Sequence, residues 1–308
     1  MHMKSDVTVL IPARGSCDYI GETLDSINNS YIQPDQVLII DDGLSIVGRE
    51  NVSLYKHRLP IKIQKNLGRG LVDALNTGLN SITTKYVCRI DSDDLMHEQR
   101  ISSQLERLKS NSNLVAVGSQ CFYINSDSEI IGSSNYFVGT VNLLPQFKNS
   151  CLLAHPSTMF LREPAVKIGG YRSLFTWDNT DIAEDFDFWL RLSSKGQLEV
   201  MGENLTFYRQ HKSQLSSQFQ IAQTIGTPYI AAINSPRNPV LVKVDFVDGY
   251  SPQMWTFLHL IVRSQGIFVV AKIFLFLIHY RIRNWSISNS IAYNSKLLNI
   301  FFAKFFKT

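Results

Sequence analysis

Three carboxylates fall within four residues in the run Arg89-Ile90-Asp91-Ser92-Asp93-Asp94. Two ionised carboxylates about 4 Å apart repel by roughly 4 kcal/mol at an effective dielectric of about 20, so such a cluster needs a positive partner. A divalent cation is the simplest candidate. The competing reading is a solvated acidic loop in which Asp93 or Asp94 caps a following helix. A second acid-rich stretch runs from Ala183 to Leu192, where Phe186, Trp189, Leu190 and Ser193 share one helical face. Glu184 and Asp185 occupy its first turn. There they either favour the positive end of the helix dipole, worth about 0.3 to 1 kcal/mol each, or supply a general base. Two weaker signals accompany them. Lys65-Asn66-Leu67-Gly68-Arg69-Gly70 reads either as a phosphate-approaching loop or as a plain turn, and His155 either as a ligand or as a satisfied structural histidine.

The elements that must position these groups follow from periodicity. Val7 to Ile11 is a β-branched run stopped by Pro12, and Asp18 to Asn28 has helical spacing with Ser16 or Asp18 as its cap. Gln36 to Ile40 ends in Asp41-Asp42-Gly43, and a short strand around Ile61 to Gln64 precedes a helix through Leu71, Leu75 and Leu79. Tyr86 to Ile90 is a buried strand, and His97 to Lys109 a helix. Strand and helix alternate up to this point, which predicts a mostly parallel sheet with helices on both faces and acids at its carboxyl edge, where open α/β sheets bind ligands. The first turn carries one glycine instead of G-x-G-x-x-G, which argues against a dinucleotide fold. Beyond Ser110 the pattern becomes mixed. Leu114 to Gly118, Cys121 to Ile124, Leu198 to Met201 and Leu205 to Tyr208 read as four strands, and Leu143 to Asn149 as a short helix.

Composition bounds the rest. At 308 residues, 44% hydrophobic and 18% charged, the chain can bury a substantial core, and its net charge of +4 is too small to argue for nucleic acid. Four scattered cysteines suggest neither a zinc site nor a disulfide framework. The N-terminus has no apolar signal-peptide core, so a cytoplasmic catalytic part is expected. Ser216 to Asn238 is polar and poorly periodic, giving expected boundaries of 1–217 for the catalytic domain, 218–250 for a linker and 251–308 for a helical extension. That last segment is apolar and aromatic, interleaved with Arg263, Lys272, Arg281, Arg283, Lys296, Lys304 and Lys307, and lacks acids. It reads as helices lying on an anionic membrane surface, peripheral to the inner face of the cell membrane; the competing readings are helices packed on the catalytic domain or on a second subunit, and a membrane span.

Eight blocks stand in a telling order: V-T-V-L-I-P-A-R, D-D-G, N-L-G with A-L-N-T-G, R-I-D-S-D-D, H-P-S-T-M-F, G-G-Y-R, A-E-D-F-D-F-W-L-R-L and Y-R-Q-H-K-S-Q-L-S. From Val7 to Ser217, about two thirds of the chain, they resemble family 2 glycosyltransferases of the GT-A fold. The resemblance implies a Rossmann-like, mostly parallel α/β sheet and inverting transfer from a nucleotide sugar, UDP-linked by expectation. It implies donor binding by Pro12, Ala13, Arg14, Asp42, Asn66, Arg69, Asp91 and Ser92. Asp91 and Asp93 resemble the D-x-D that holds Mg²⁺ or Mn²⁺, with His211 near the metal. Asp185 matches the catalytic base, with Glu184 and Trp189 on the acceptor side. Arg14 and Arg69 depart from the family's usual residues. Combined with the basic tail, the resemblance implies a lipid-linked saccharide acceptor, as in O-antigen or capsule assembly. The alternatives are a sugar-phosphate nucleotidyltransferase, which would carry a glycine-rich basic loop after the first strand, and a non-catalytic membrane-associated scaffold.

Overall fold

A computed structural model of the chain describes residues 5–141, 153–211, 220–234 and 244–246. It divides into two compact units, one of Met1–Ser173 with Ala183–Gln218, the other of Leu174–Ile182 with Phe219–Thr308.

The first unit is built on strands β1 (Val7–Gly15), β2 (Gln36–Leu44), β3 (Ile61–Lys65), β4 (Tyr86–Arg89), β5 (Leu95–Met96), β6 (Leu114–Ile124), β7 (Ile130–Ser133), β8 (Gly139–Val141), β9 (Met159–Leu161) and β12 (Gln197–Arg209). Their order is β3-β2-β1-β4-β9-β6-β12-β5, with β7 on β6 and β8 on β12. The β3-β2-β1-β4 half is parallel, β6 and β12 are parallel to each other, and β9 runs antiparallel between the halves. Helices α1 (Ile20–Asn28), α2 (Ile46–Ser53), α3 (Leu71–Ser81), α4 (Arg100–Ser110), α5 (Arg162–Lys167) and α6 (Glu184–Leu192) flank this sheet. Val7, Val9, Ile11, Val37, Ile39 and Cys88 alternate along the strands into one core with Ile20, Leu24 and Ile27 of α1. On the other side, Gly78 lets α3 approach β1, since a Cβ there would lie 2.3 Å from Leu10 Cδ1. The expected mostly parallel α/β architecture is therefore present.

Several boundaries differ from the sequence reading, each for a tertiary reason. Strand β1 continues through Pro12, which pairs with Ile40 of β2. It can do so because β4 leaves β1 after Leu10, so proline's missing N–H interrupts no ladder on that side. Helix α1 starts at Ile20 without a side-chain cap, so neither Ser16 nor Asp18 caps it. The four strands expected beyond Ser110 are two long ones, β6 and β12. Register shifts between Met201 and Thr206 take up the break in periodicity.

The second unit contains β10 (Phe175–Trp177), β11 (Thr180–Asp181), β13 (Val244–Phe246) and α7 (Gln220–Ile233), with strand order β11-β10-β13. Residues 220–233, expected in a linker, are helical. Ile225, Tyr229 and Ile233 recur at helical spacing and are buried, a signal that Pro228 and the polar neighbours obscured. The short helix expected at Leu143 to Asn149 and the tail 251–308 lie outside the described residues. Among those described, no helix is long and apolar enough to cross a membrane.

Candidate active site

The carboxyl ends of β1, β2, β3 and β4 deliver Pro12-Ala13-Arg14, Asp41-Asp42, Asn66 and Asp91 to one edge of the sheet. Asp42 is anchored from the β3–α3 loop, accepting Asn66 Nδ2 at 2.7 Å and Gly70 N at 3.1 Å. Gly70 has φ +85°, a left-handed conformation that glycine adopts without Cβ strain. Asn66 is buried, and its amide is used internally. It donates to Asp42 and Gly70 O and accepts from Gly68 N and the Thr77 hydroxyl, both at 3.1 Å. The Asn66 side chain thus braces Asp42 and the β3–α3 loop. Arg14 and Arg69 are exposed at the same edge, and the Arg69 N–H is held by Asp73. Ser92 faces the β1–α1 turn, where the Cys17 thiol lies 3.7 Å from its hydroxyl.

Downstream of β4 the acids separate into different environments. Asp91 is gripped by the buried Arg89 guanidinium, Nη1 to Oδ2 at 2.6 Å and Nη2 to Oδ1 at 2.5 Å. Burial pushes the Asp91 carboxyl up against the pull of Arg89, and the charges of Asp93 and Asp185 push it the same way. Asp93 Oδ2 lies 2.9 Å from His211 Nε2. Asp94 is fully buried and accepts the Arg209 N–H at 2.8 Å through Oδ1, while Oδ2 has no hydrogen-bond partner among the described residues. Burial, then the charges of Asp93 and Asp91, hold its carboxyl well above the ordinary range. Neither Asp93 nor Asp94 caps α4, whose N-cap is Gln99. The strand β5 intervenes, pairing Leu95 and Met96 with Phe207 and Thr206 of β12.

One carboxylate oxygen from each of Asp91, Asp93 and Asp94 lies within 4.8 Å of the other two. Hard oxygens so placed, an orphaned buried Oδ2 and a strained carboxyl pKa together fit a divalent cation. His211 stands beside Asp93 as a further donor.

Helix α6 opens at Ala183, φ +57°, and carries Glu184 and Asp185 in its first turn, both half-buried. Asp185 Oδ1 accepts the Phe186 N–H at 2.7 Å. Its charge reaches Asp91, so the fold brings together acids 94 positions apart. Beneath them Asp187 is fully buried and bridges Arg172 and Arg191, anchoring α6. Trp189, expected to flank an acceptor, is 0% exposed and packs against His155, Phe160 and Phe188. It offers no surface to an acceptor in this arrangement. His155 lies with it, 2.9 Å from the Tyr171 hydroxyl, and burial holds its pKa well below the ordinary value.

The glycosyl transferase family 2 sequence model matches residues 8–169, which is more than half of the chain and includes the acid cluster. The chain belongs to this family. Among proteins it is similar to is an uncharacterised glycosyltransferase of Haemophilus influenzae, 29% identical over 70% of this chain and 69% of that protein. An Escherichia coli relative, named a UDP-Gal:α-D-GlcNAc-diphosphoundecaprenol β-1,3-galactosyltransferase, is 28% identical over 63% of this chain and 69% of its own length. Two solved structures share the GT-A fold. Staphylococcus aureus TarS 1–349 with UDP-GlcNAc has a TM-score of 0.59 and 15% identity, covering 75% of this chain and 66% of that one. The Pyrobaculum calidifontis mannosyltransferase PcManGT, with GDP-Man and Mn²⁺, has a TM-score of 0.56 and 16% identity, covering 96% and 80%. This chain is thus a family 2 glycosyltransferase with relatives in bacterial polysaccharide biosynthesis.

Arg89 and Arg209 are the residues at the site that sequence reasoning left without a role, and Asp94 is a buried member of the cluster where a cap was the competing reading. No local signal marks the two arginines, because each acts through a partner brought in by the fold.

Proposed function

We propose that the chain is an inverting, cation-dependent transferase. It moves a sugar from a nucleotide donor, UDP-linked, to a hydroxyl of a lipid-linked saccharide in bacterial surface polysaccharide assembly. The observation that carries this reading is the gathering of Asp91, Asp93, Asp94 and His211 beyond the carboxyl end of β4, with Asp185 of α6 near enough for its charge to act on Asp91. Mg²⁺ or Mn²⁺ held by Asp93, Asp94 and His211, with Asp91, would neutralise the departing diphosphate. Asp42, braced by Asn66, serves the nucleoside with Pro12, Ala13 and Arg14, while Ser92 and Arg69 line the phosphate path. Asp185 takes the proton from the acceptor hydroxyl as its oxygen attacks the anomeric carbon from the face opposite the leaving group. A single base with in-line displacement gives inversion. Glu184 lies on the acceptor side, and Trp189 acts from below by fixing the face of α6 that carries the base.

The acceptor class rests on the Escherichia coli relative's diphosphoundecaprenol substrate and on the basic, apolar sequence 251–308, which suits the inner face of the cell membrane. The donor class rests on the nucleotides named for that relative and for TarS.

Thermal unfolding over a panel of UDP-, GDP- and dTDP-sugars with Mn²⁺ tests the donor reading. A ligand at 100 times its Kd adds about 2.7 kcal/mol of stability, roughly 5 to 10 °C for a domain of this size. A UDP-sugar is expected to give that rise. A panel in which no nucleotide sugar raises the midpoint would overturn donor binding, and a rise only with GDP-sugars would correct the base.

A further inference from the structure

The residue two positions before His211 is the most heavily engaged side chain near the acid cluster. Arg209 is 0% exposed at the carboxyl end of β12. Its Nε donates to the Asp93 carbonyl at 2.7 Å, and its backbone N–H donates to Asp94 Oδ1 at 2.8 Å. The same residue therefore clamps two consecutive positions of the acid loop, one through its backbone and one through its side chain. The far side of the guanidinium is anchored elsewhere. Nη1 reaches Asn125 O, Ser126 O and Ser128 Oγ at 3.0 to 3.2 Å, in the turn joining β6 to β7. Nη2 pairs with Glu22 of α1 at 2.9 Å, and Glu22 also accepts the Ser128 hydroxyl. The guanidinium carbon sits 4.1 Å over the Tyr19 ring, which lies 5.7 Å from the His211 imidazole.

We infer that Arg209 is the positioning residue of the metal-binding end: it fixes the Asp93–Asp94 peptide, and with it the direction of both carboxylates and their register with His211. The inference rests on the cation-binding reading above and deepens it. Three points of contact, Arg209 N–H, Arg209 Nε and His211 Nε2, lock β12 onto a loop about 116 residues earlier in the chain. A planar fork is needed because the acceptors diverge toward three separate elements. Lysine would keep the charge but not the simultaneous contacts. The buried charge is balanced by Glu22, so the clamp does not depend on the cation for its own neutrality.

Outer partners that orient metal ligands typically contribute 10- to 100-fold in metal affinity. The test is equilibrium binding of Mn²⁺ alone, followed by the spin-resonance signal of the free ion, on wild type, Arg209→Lys, Glu22→Gln and Ser128→Ala. Thermal midpoints are measured on the same samples. Arg209→Lys is expected to weaken Mn²⁺ binding by about 10- to 100-fold. Glu22→Gln and Ser128→Ala, which loosen the clamp from outside, are expected to weaken it by a smaller factor. A purely structural role would lower the midpoint and leave the Mn²⁺ Kd of the folded protein unchanged. That result in Arg209→Lys overturns the inference. If Arg209→Lys does not fold, unchanged Mn²⁺ affinity in both outer variants overturns it instead. Failure of wild type itself to bind Mn²⁺ overturns the cation reading and this inference with it, an outcome distinct from wild-type binding that no variant alters.

Discussion

Asp185→Asn is expected to lower turnover by about 10² to 10⁴, the usual contribution of a positioned general base. Donor binding should stay within about twofold of wild type. Asparagine is isosteric and its Oδ1 can still accept the Phe186 N–H, so the first turn of α6 keeps its geometry. Proton acceptance is lost together with the negative charge that acts on Asp91. Asp185 differs in this from its neighbour: Glu184 points about 100° away around the helix. Glu184→Gln should therefore cost far less, and appear mainly in the KM for acceptor. Steady-state kinetics with donor saturating, plus donor affinity and thermal midpoint for each variant, separate these effects. Unchanged turnover in Asp185→Asn removes Asp185 from the base role.

Asp93→Asn is expected to reduce Mn²⁺ affinity by at least about 100-fold and activity at moderate Mn²⁺ in proportion, with partial recovery at high Mn²⁺. Asp93 is the acid whose Oδ2 faces His211, whereas both oxygens of Asp91 are held by Arg89. Removing the Asp93 charge also relieves repulsion on Asp94, so the variant should fold at least as well as wild type. A loss of activity through unfolding would show as a lower thermal midpoint. Loss at the cation site leaves that midpoint unchanged or raised and is seen in Mn²⁺ binding without substrate. Wild-type Mn²⁺ affinity in Asp93→Asn would exclude Asp93 as a ligand.

The parts of this site that were legible in sequence are those set by local order. Alternation of strand and helix fixes the carboxyl edge of the sheet, and an acid run at the end of β4 is conspicuous in any reading. The positions of Glu184 and Asp185 in a first helical turn follow from spacing alone. Asp94 was misleading because a carboxylate a few residues before a helix has the local features of a cap. What displaces it is β5, a two-residue strand with no propensity of its own, formed only because β12 passes alongside. Arg89 and Arg209 were silent for the same reason. Trp189 carries a different lesson: its helical face, shared with Phe186 and Leu190, already marked it as core. The family resemblance drew it toward the acceptor, and the structure returns it to the packed side.

Cation-dependent cleavage of a nucleotide sugar is the claim on which the rest depends. The most direct measurement is release of nucleoside diphosphate from UDP-sugars by the purified full chain, with Mn²⁺ or with excess chelator, in the presence of membrane-extracted lipid-linked saccharides. We expect release from one UDP-sugar that requires both the divalent cation and the lipid fraction, and that Asp185→Asn abolishes. Full release in excess chelator, or none from any nucleotide sugar with cation and acceptor present, would contradict the account.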